Sequence, residues 1–100
     1  MDGLFTALVR GPSMVPALRD GDAILVRRGA RTRPGDVVVA RFPGLPGLVV
    51  KRAVREVDGG WWVEGDNDAV ADDSRRYGPA VVEGRVLLCW WPRLSWLGRR

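Results

Sequence analysis

The sequence predicts a mostly-β, compact single-domain fold, a twisted barrel or sandwich carrying one or two short helical turns. Three observations point that way. Turn signals built from Gly, Pro and Asp recur roughly every 8–12 residues, the spacing of short antiparallel strands. The segments between them are rich in β-branched and aromatic residues. Apolar residues make up 46% of the 100-residue chain, while 13 Gly and 7 Pro divide that apolar content into short pieces. A chain of this length suits one domain, here read as spanning 1–100, with a core over about 9–92 and a basic tail at 93–100.

In chain order, residues 15–19 read as a short helical turn between prolines. Residues 23–26 form a strand opened by Asp20-Gly21-Asp22, and 37–42 a strand opened by Arg33-Pro34-Gly35-Asp36. Residues 48–57 are the longest strand candidate, entered from Pro43-Gly44-Leu45-Pro46-Gly47. Asp58-Gly59-Gly60 then reads as a hairpin turn into a strand over 61–64. A second helical turn is expected at 72–76, and a last strand at 85–91. Neither repeats nor low-complexity segments interrupt this pattern.

Composition narrows the chemistry. Histidine is absent, which excludes Ser-His-Asp and Cys-His catalysis and histidine metal sites. Cys89 is the single cysteine, so neither an intrachain disulfide nor a cysteine zinc cage can form. The longest early apolar run, 4–9, is far short of the ~20 residues a membrane-crossing helix needs. No basic region precedes it as in a signal peptide, so the expectation is a cytoplasmic protein, peripheral to a membrane at most. The net charge is +4, but residues 64–83 hold six acids against two arginines, which argues against a nucleic-acid partner. The tail, with Trp90, Trp91 and Trp96 among arginines, could rest weakly on a membrane surface or be a solvated end.

Two residues could do chemistry without histidine. Of 16 Lys+Arg, only Lys51 is lysine. Strand alternation sends Lys51 and Arg52 to opposite faces. Arginine stays charged, whereas a buried lysine can lose its proton near neutral pH; a solvated strand lysine is the other reading. Ser13, between Pro12 and Pro16, is either the N-cap of a short turn or an exposed nucleophile with its own N–H beside it. In the loop 65–79, the spaced acids fail the calcium-loop pattern, because Val70 and Ala71 replace oxygen donors. That loop reads instead as Asx turns stitched by Asp–Arg pairs, with Arg75 gripping a carboxylate two-pronged.

Together these segments resemble the bacterial type I signal peptidase family, the serine-lysine (S26-type) peptidases. The motifs are Ser13-Met14-Val15-Pro16-Ala17-Leu18, the strand openings Gly21-Asp22 and Gly35-Asp36-Val37-Val38, then Val49-Val50-Lys51-Arg52-Ala53-Val54. The last is Gly65-Asp66-Asn67 with Asp73-Ser74-Arg75 and Gly78. The resemblance implies a signal-peptidase-type β fold and a serine endopeptidase in which neutral Lys51 activates Ser13. Met14 and Pro16 would support the oxyanion turn, and Gly65, Asp66, Asn67, Asp73, Ser74 and Arg75 would brace the site. It implies no metal or other cofactor, and a precursor protein bound as an extended peptide. Three departures accompany it: no membrane anchor, Ala71 where many members place a lysine-orienting hydroxyl, and Gly11 where some place an oxyanion-donating serine. Residues 11–14, 33–39 and 60–67 most resemble the nickel-type superoxide dismutase maturation branch, whose nickel belongs to the substrate. General signal-peptidase-like processing at a membrane through a partner, and a non-enzymatic small basic β-barrel binding nucleic acid, are the competing expectations.

Overall fold

A computed structural model of the protein describes residues 3–97. The elements are β1 (Leu4–Leu8), β2 (Ala23–Arg28), β3 (Val37–Arg41), β4 (Val49–Val57), β5 (Gly60–Glu64), the helical turn α1 (Ser74–Tyr77), β6 (Val81–Trp91) and β7 (Ser95–Trp96). The strands join in one antiparallel sheet in the order β1-β2-β6-β3-β4-β5, with β7 also on β6. The sheet is open at β1. At its other end a bridge between Trp61 and Ala80, closed by N–H···O bonds of 2.9 and 2.8 Å, curls β5 against the start of β6.

The run Val37-Val38-Val39-Ala40 is buried throughout, as expected of a strand covered on both faces. Its alternation feeds two cores. Val37 and Val39 join Met14, Leu18, Ile24, Val26 and Val86 on one side; Val38 and Ala40 join Phe42, Ala53, Val63 and Ala80 on the other. β6 links both halves by pairing β3 with its first part and β2 with its last. The crossing depends on Gly84, where an added Cβ would stand 2.7 Å from Val26 Cγ1 and 2.9 Å from the Arg27 carbonyl oxygen.

The two Gly-Asp openings work by one device. Asp22 Oδ2 accepts from the Arg19 N–H at 2.9 Å, and Asp36 Oδ2 accepts from the Arg33 N–H at 2.9 Å. In each turn the aspartate N–H also donates to the carbonyl of the same arginine, at 3.0 and 3.1 Å. Each aspartate thus closes a four-residue turn at the mouth of a strand.

The structure alters the expected boundaries in several places. Residues 15–19 form hydrogen-bonded turns and not a helix, since Pro16 supplies no N–H. The second helical turn begins two residues later than expected, because Asp73 caps it by accepting from the Arg75 N–H. β6 starts at Val81, extending through the Glu83-Gly84 pair that weakens its β signature. The apolar run near the start is an edge strand, and part of the expected tail folds back as β7, with Cys89 opposite Ser95. Residues 98–100 of that tail lie outside the described residues.

Candidate active site

Ser13 sits on the turn that follows β1. The turn is held by the Val15 N–H donating to the Pro12 carbonyl at 3.2 Å and the Leu18 N–H donating to the Met14 carbonyl at 3.0 Å. Met14 and Leu18 are the anchors, 1% and 0% exposed in the first core. Lys51 approaches from β4. That strand outruns β5: pairing with β5 begins at Arg52, so residues 49–51 have a strand partner only in β3. Lys51 shares its face with Ala53 and is 5% exposed. Its Nζ lies 2.8 Å from Ser13 Oγ.

Two ion pairs clamp the loop that carries Ser13's neighbours. Asp73 is fully buried and accepts from the Gly65 N–H at 2.8 Å, while Arg75 grips it with Nε at 3.0 Å and Nη2 at 2.7 Å. Ser74 Oγ accepts from the Val63 N–H at 2.9 Å, tying α1 to β5. Arg52, on the face of β4 opposite Lys51, holds Asp66 through Nε at 3.1 Å and Nη2 at 2.6 Å, and donates from Nη1 to the Gly35 carbonyl at 3.0 Å. The loop then grips the serine turn directly. The Asn67 N–H donates to the Ser13 carbonyl at 2.9 Å, and Asn67 Nδ2 donates to the Pro12 carbonyl at 3.0 Å. Gly65 packs so closely that a Cβ there would meet the Ser13 carbonyl oxygen at 2.6 Å.

Burial pushes the Lys51 ammonium below its ordinary pKa; Asp73 and then Asp72 pull it back up, and Arg75 pushes it down again. The net direction is downward, toward a free amine. Asp73 runs the other way. Burial raises its carboxyl, but the Arg75 guanidinium and the Gly65 and Arg75 N–H groups outweigh that and hold it below the usual range. It is therefore a fixed negative charge. The Ser13 N–H has no acceptor among the described residues, which leaves it available to a developing oxyanion.

An open cleft of about 330 Å³ runs past the pair, walled by Leu8 and Arg10 at the end of β1 and by Leu48 and Val50 at the start of β4. The sequence-predicted residues thus gather in one place, with distinct placements. Pro16 is exposed on the outside of the turn and Met14 is buried beneath it. Ala71 is exposed, and Ser74 spends its hydroxyl on β5. The Arg52–Asp66 clamp is a site feature that sequence reasoning missed; its signal was the arginine beside the lysine and the aspartate in Gly65-Asp66-Asn67. Trp90, Trp91 and Trp96 are exposed at the far end of β6 and on β7. Among the described residues no group of His, Cys, Asp or Glu is arranged to hold a metal ion, and no helix is long and apolar enough to cross a membrane.

Comparison with protein families matches residues 1–87 to the family described as Peptidase S24-like. The chain belongs to the Peptidase S24-like family. Among its relatives, mitochondrial inner membrane protease subunit 1 of Xenopus tropicalis is 32% identical, covering 82% of this chain and 66% of the relative. Mitochondrial ATP-independent inner membrane protease subunit 1a of Arabidopsis thaliana is 31% identical, covering 87% and 70%. Mitochondrial inner membrane protease subunit 2 of Danio rerio is 31% identical, covering 92% and 67%. The chain spans about two thirds of the length of these relatives.

Proposed function

We propose that this chain is a serine endopeptidase in which Ser13 is the nucleophile and Lys51 the general base. The reading rests on one observation above all: the only lysine is buried, driven toward its neutral form, and 2.8 Å from a serine hydroxyl on an exposed turn. With Lys51 neutral, Ser13 Oγ–H donates to Nζ, and the proton passes across as Oγ attacks the scissile carbonyl. The oxyanion is met by the Ser13 N–H. Lys51 then returns the proton to the leaving amine, and in the second half activates the water that releases the acyl group. Membership of a peptidase family and the protease names of the relatives support the same class.

The substrate is a precursor protein bound extended in the cleft, laid between the β1 edge and the part of β4 that β5 leaves uncovered. Removal of an N-terminal extension is the processing event that fits, and the finer motif likeness makes a nickel-type superoxide dismutase precursor the first substrate to try. The membrane names of the relatives favour one alternative, processing at a membrane surface reached through Trp90, Trp91 and Trp96. The test is cleavage of a candidate precursor by wild type, Ser13→Ala and Lys51→Arg. Both variants are expected to lose cleavage while keeping their fold. Cleavage that survives in both would remove the dyad, and wild-type cleavage that requires vesicles would favour the membrane alternative.

A further inference from the structure

A second concavity lies away from Ser13 and Lys51, where the loop between β2 and β3 meets the middle of β6. Its volume is about 470 Å³, and its wall consists of Arg27, Arg28, Arg31, Arg33 and Arg85 with only Gly29 and Ala30 beside them. No carboxylate contributes to it. Arg27 and Arg85 are direct cross-strand partners in the β2–β6 register, and like charges placed opposite each other disfavour the pairing. None of these five arginines is in an ion pair among the described residues. Arg28 lies over the Phe5 ring at 4.6 Å. Of the acids in the adjoining hollow, Glu83 is taken by Arg41 at 3.2 Å, leaving Glu56.

Arg85 adds an independent sign. Its Nε is shut off from solvent and has no hydrogen-bond partner within the described residues. Buried donors are nearly always satisfied, so the unmet Nε marks Arg85 as a guanidinium held at the basin wall without an acceptor inside the fold. We propose that this basin binds a small phosphate-bearing anion carrying two or more negative charges. Several guanidinium forks converging on one space suit an oxyanion with three or more acceptor oxygens, whereas a single carboxylate needs only one fork. The phosphate is either a free polyanion or a lipid headgroup, since both present the same oxygens.

The probe is inorganic pyrophosphate, titrated calorimetrically into the full chain at low ionic strength. We expect saturable binding that also raises the melting temperature. Arg27→Gln should weaken it about tenfold, as should the double variant Arg31→Gln/Arg33→Gln. The double variant lies in an exposed loop and keeps the test open if Arg27→Gln fails to fold. Sedimentation with phosphatidylcholine vesicles, with and without phosphatidic acid, separates the sources. Retention on phosphatidic acid that pyrophosphate competes away assigns the headgroup, and pyrophosphate binding without retention assigns a free anion. Absence of saturable pyrophosphate binding, or equal binding by wild type and the double variant, would overturn the proposal. Salt-steep DNA binding without pyrophosphate binding would overturn it in favour of a nucleic-acid surface.

Discussion

Gly65→Ala replaces a hydrogen with a methyl group at the tightest point of the site, and the structure sets the size of the effect. The new Cβ would stand 2.6 Å from the Ser13 carbonyl oxygen, 3.2 Å from Ser13 Cβ and 3.4 Å from its carbonyl carbon. Ordinary contact begins near 3.4 Å, so the serine turn must retreat by about 0.8 Å, a displacement of the scale that costs catalysis about a hundredfold. Retreat is resisted, because the same carbonyl accepts from Asn67 at 2.9 Å and Gly65 is fixed by Asp73 at 2.8 Å. Moving Ser13 lengthens its 2.8 Å contact with Lys51. The expected outcome is a loss of kcat of about a hundredfold, with about 1–3 kcal/mol of destabilisation from overpacking. Gly59→Ala is the control: its φ of +84° strains any side chain, but nothing lies within 4 Å. It should lose stability and keep kcat. The assay is precursor cleavage under saturating substrate beside urea unfolding of each variant. Full activity in Gly65→Ala would refute the claim that this glycine sets the serine's position.

Three further outcomes follow from the same geometry. Because burial lowers the Lys51 pKa, cleavage should rise with pH as the amine deprotonates, with an apparent pKa below the ordinary lysine value of about 10.4; a flat kcat/KM profile between about pH 5 and 9 would count against Lys51 as base. Arg52→Ala strips the buried partner from Asp66, whose side chain is 3% exposed, and should cost about 3–5 kcal/mol in chemical denaturation. A loss under about 1 kcal/mol would show the clamp to be incidental. The depressed Asp73 carboxyl contributes stability that is present above its unfolded pKa of about 3.9 and lost as pH falls through the folded value. Asp73→Asn should therefore flatten the acid limb of an unfolding-against-pH curve, and an unchanged limb would place the acid sensitivity elsewhere.

The strands that bury both faces or alternate cleanly were legible in the chain itself. Residues 37–41 read as a strand because an unbroken β-branched run between turns has few other uses, and the two Gly-Asp turns mark their own strand mouths. Leu4–Leu8 was not legible, since this short edge strand has a single partner and shows little alternation. Gly84 was misleading as well: glycine ordinarily weakens a strand, but here β2 passes too close for any Cβ. In the site, the opposed faces of Lys51 and Arg52 could be read from period two alone. What Arg52 grips could not be read, because Asp66 is brought to it by the β4–β5 hairpin and not by proximity in sequence.

That hairpin also explains why lysine occupies residue 51. β5 ends opposite Arg52, so one step further along β4 the strand is covered on its β3 side and opens on the cleft on the other. A cation there cannot reach a carboxylate of its own: Asp73 is held by Arg75, Asp66 by Arg52, and Asp72 by Tyr77 and Arg76. Arginine in that position would stay charged and unpaired in the wall. Lysine can discard its proton instead, at a cost to folding. Between its lowered folded pKa and about 10.4 the unfolded chain binds the extra proton, so stability rises with pH across that window and is conceded below it. The ion pairs that occupy the neighbouring acids are thus as much a part of the lysine's chemistry as the serine 2.8 Å away.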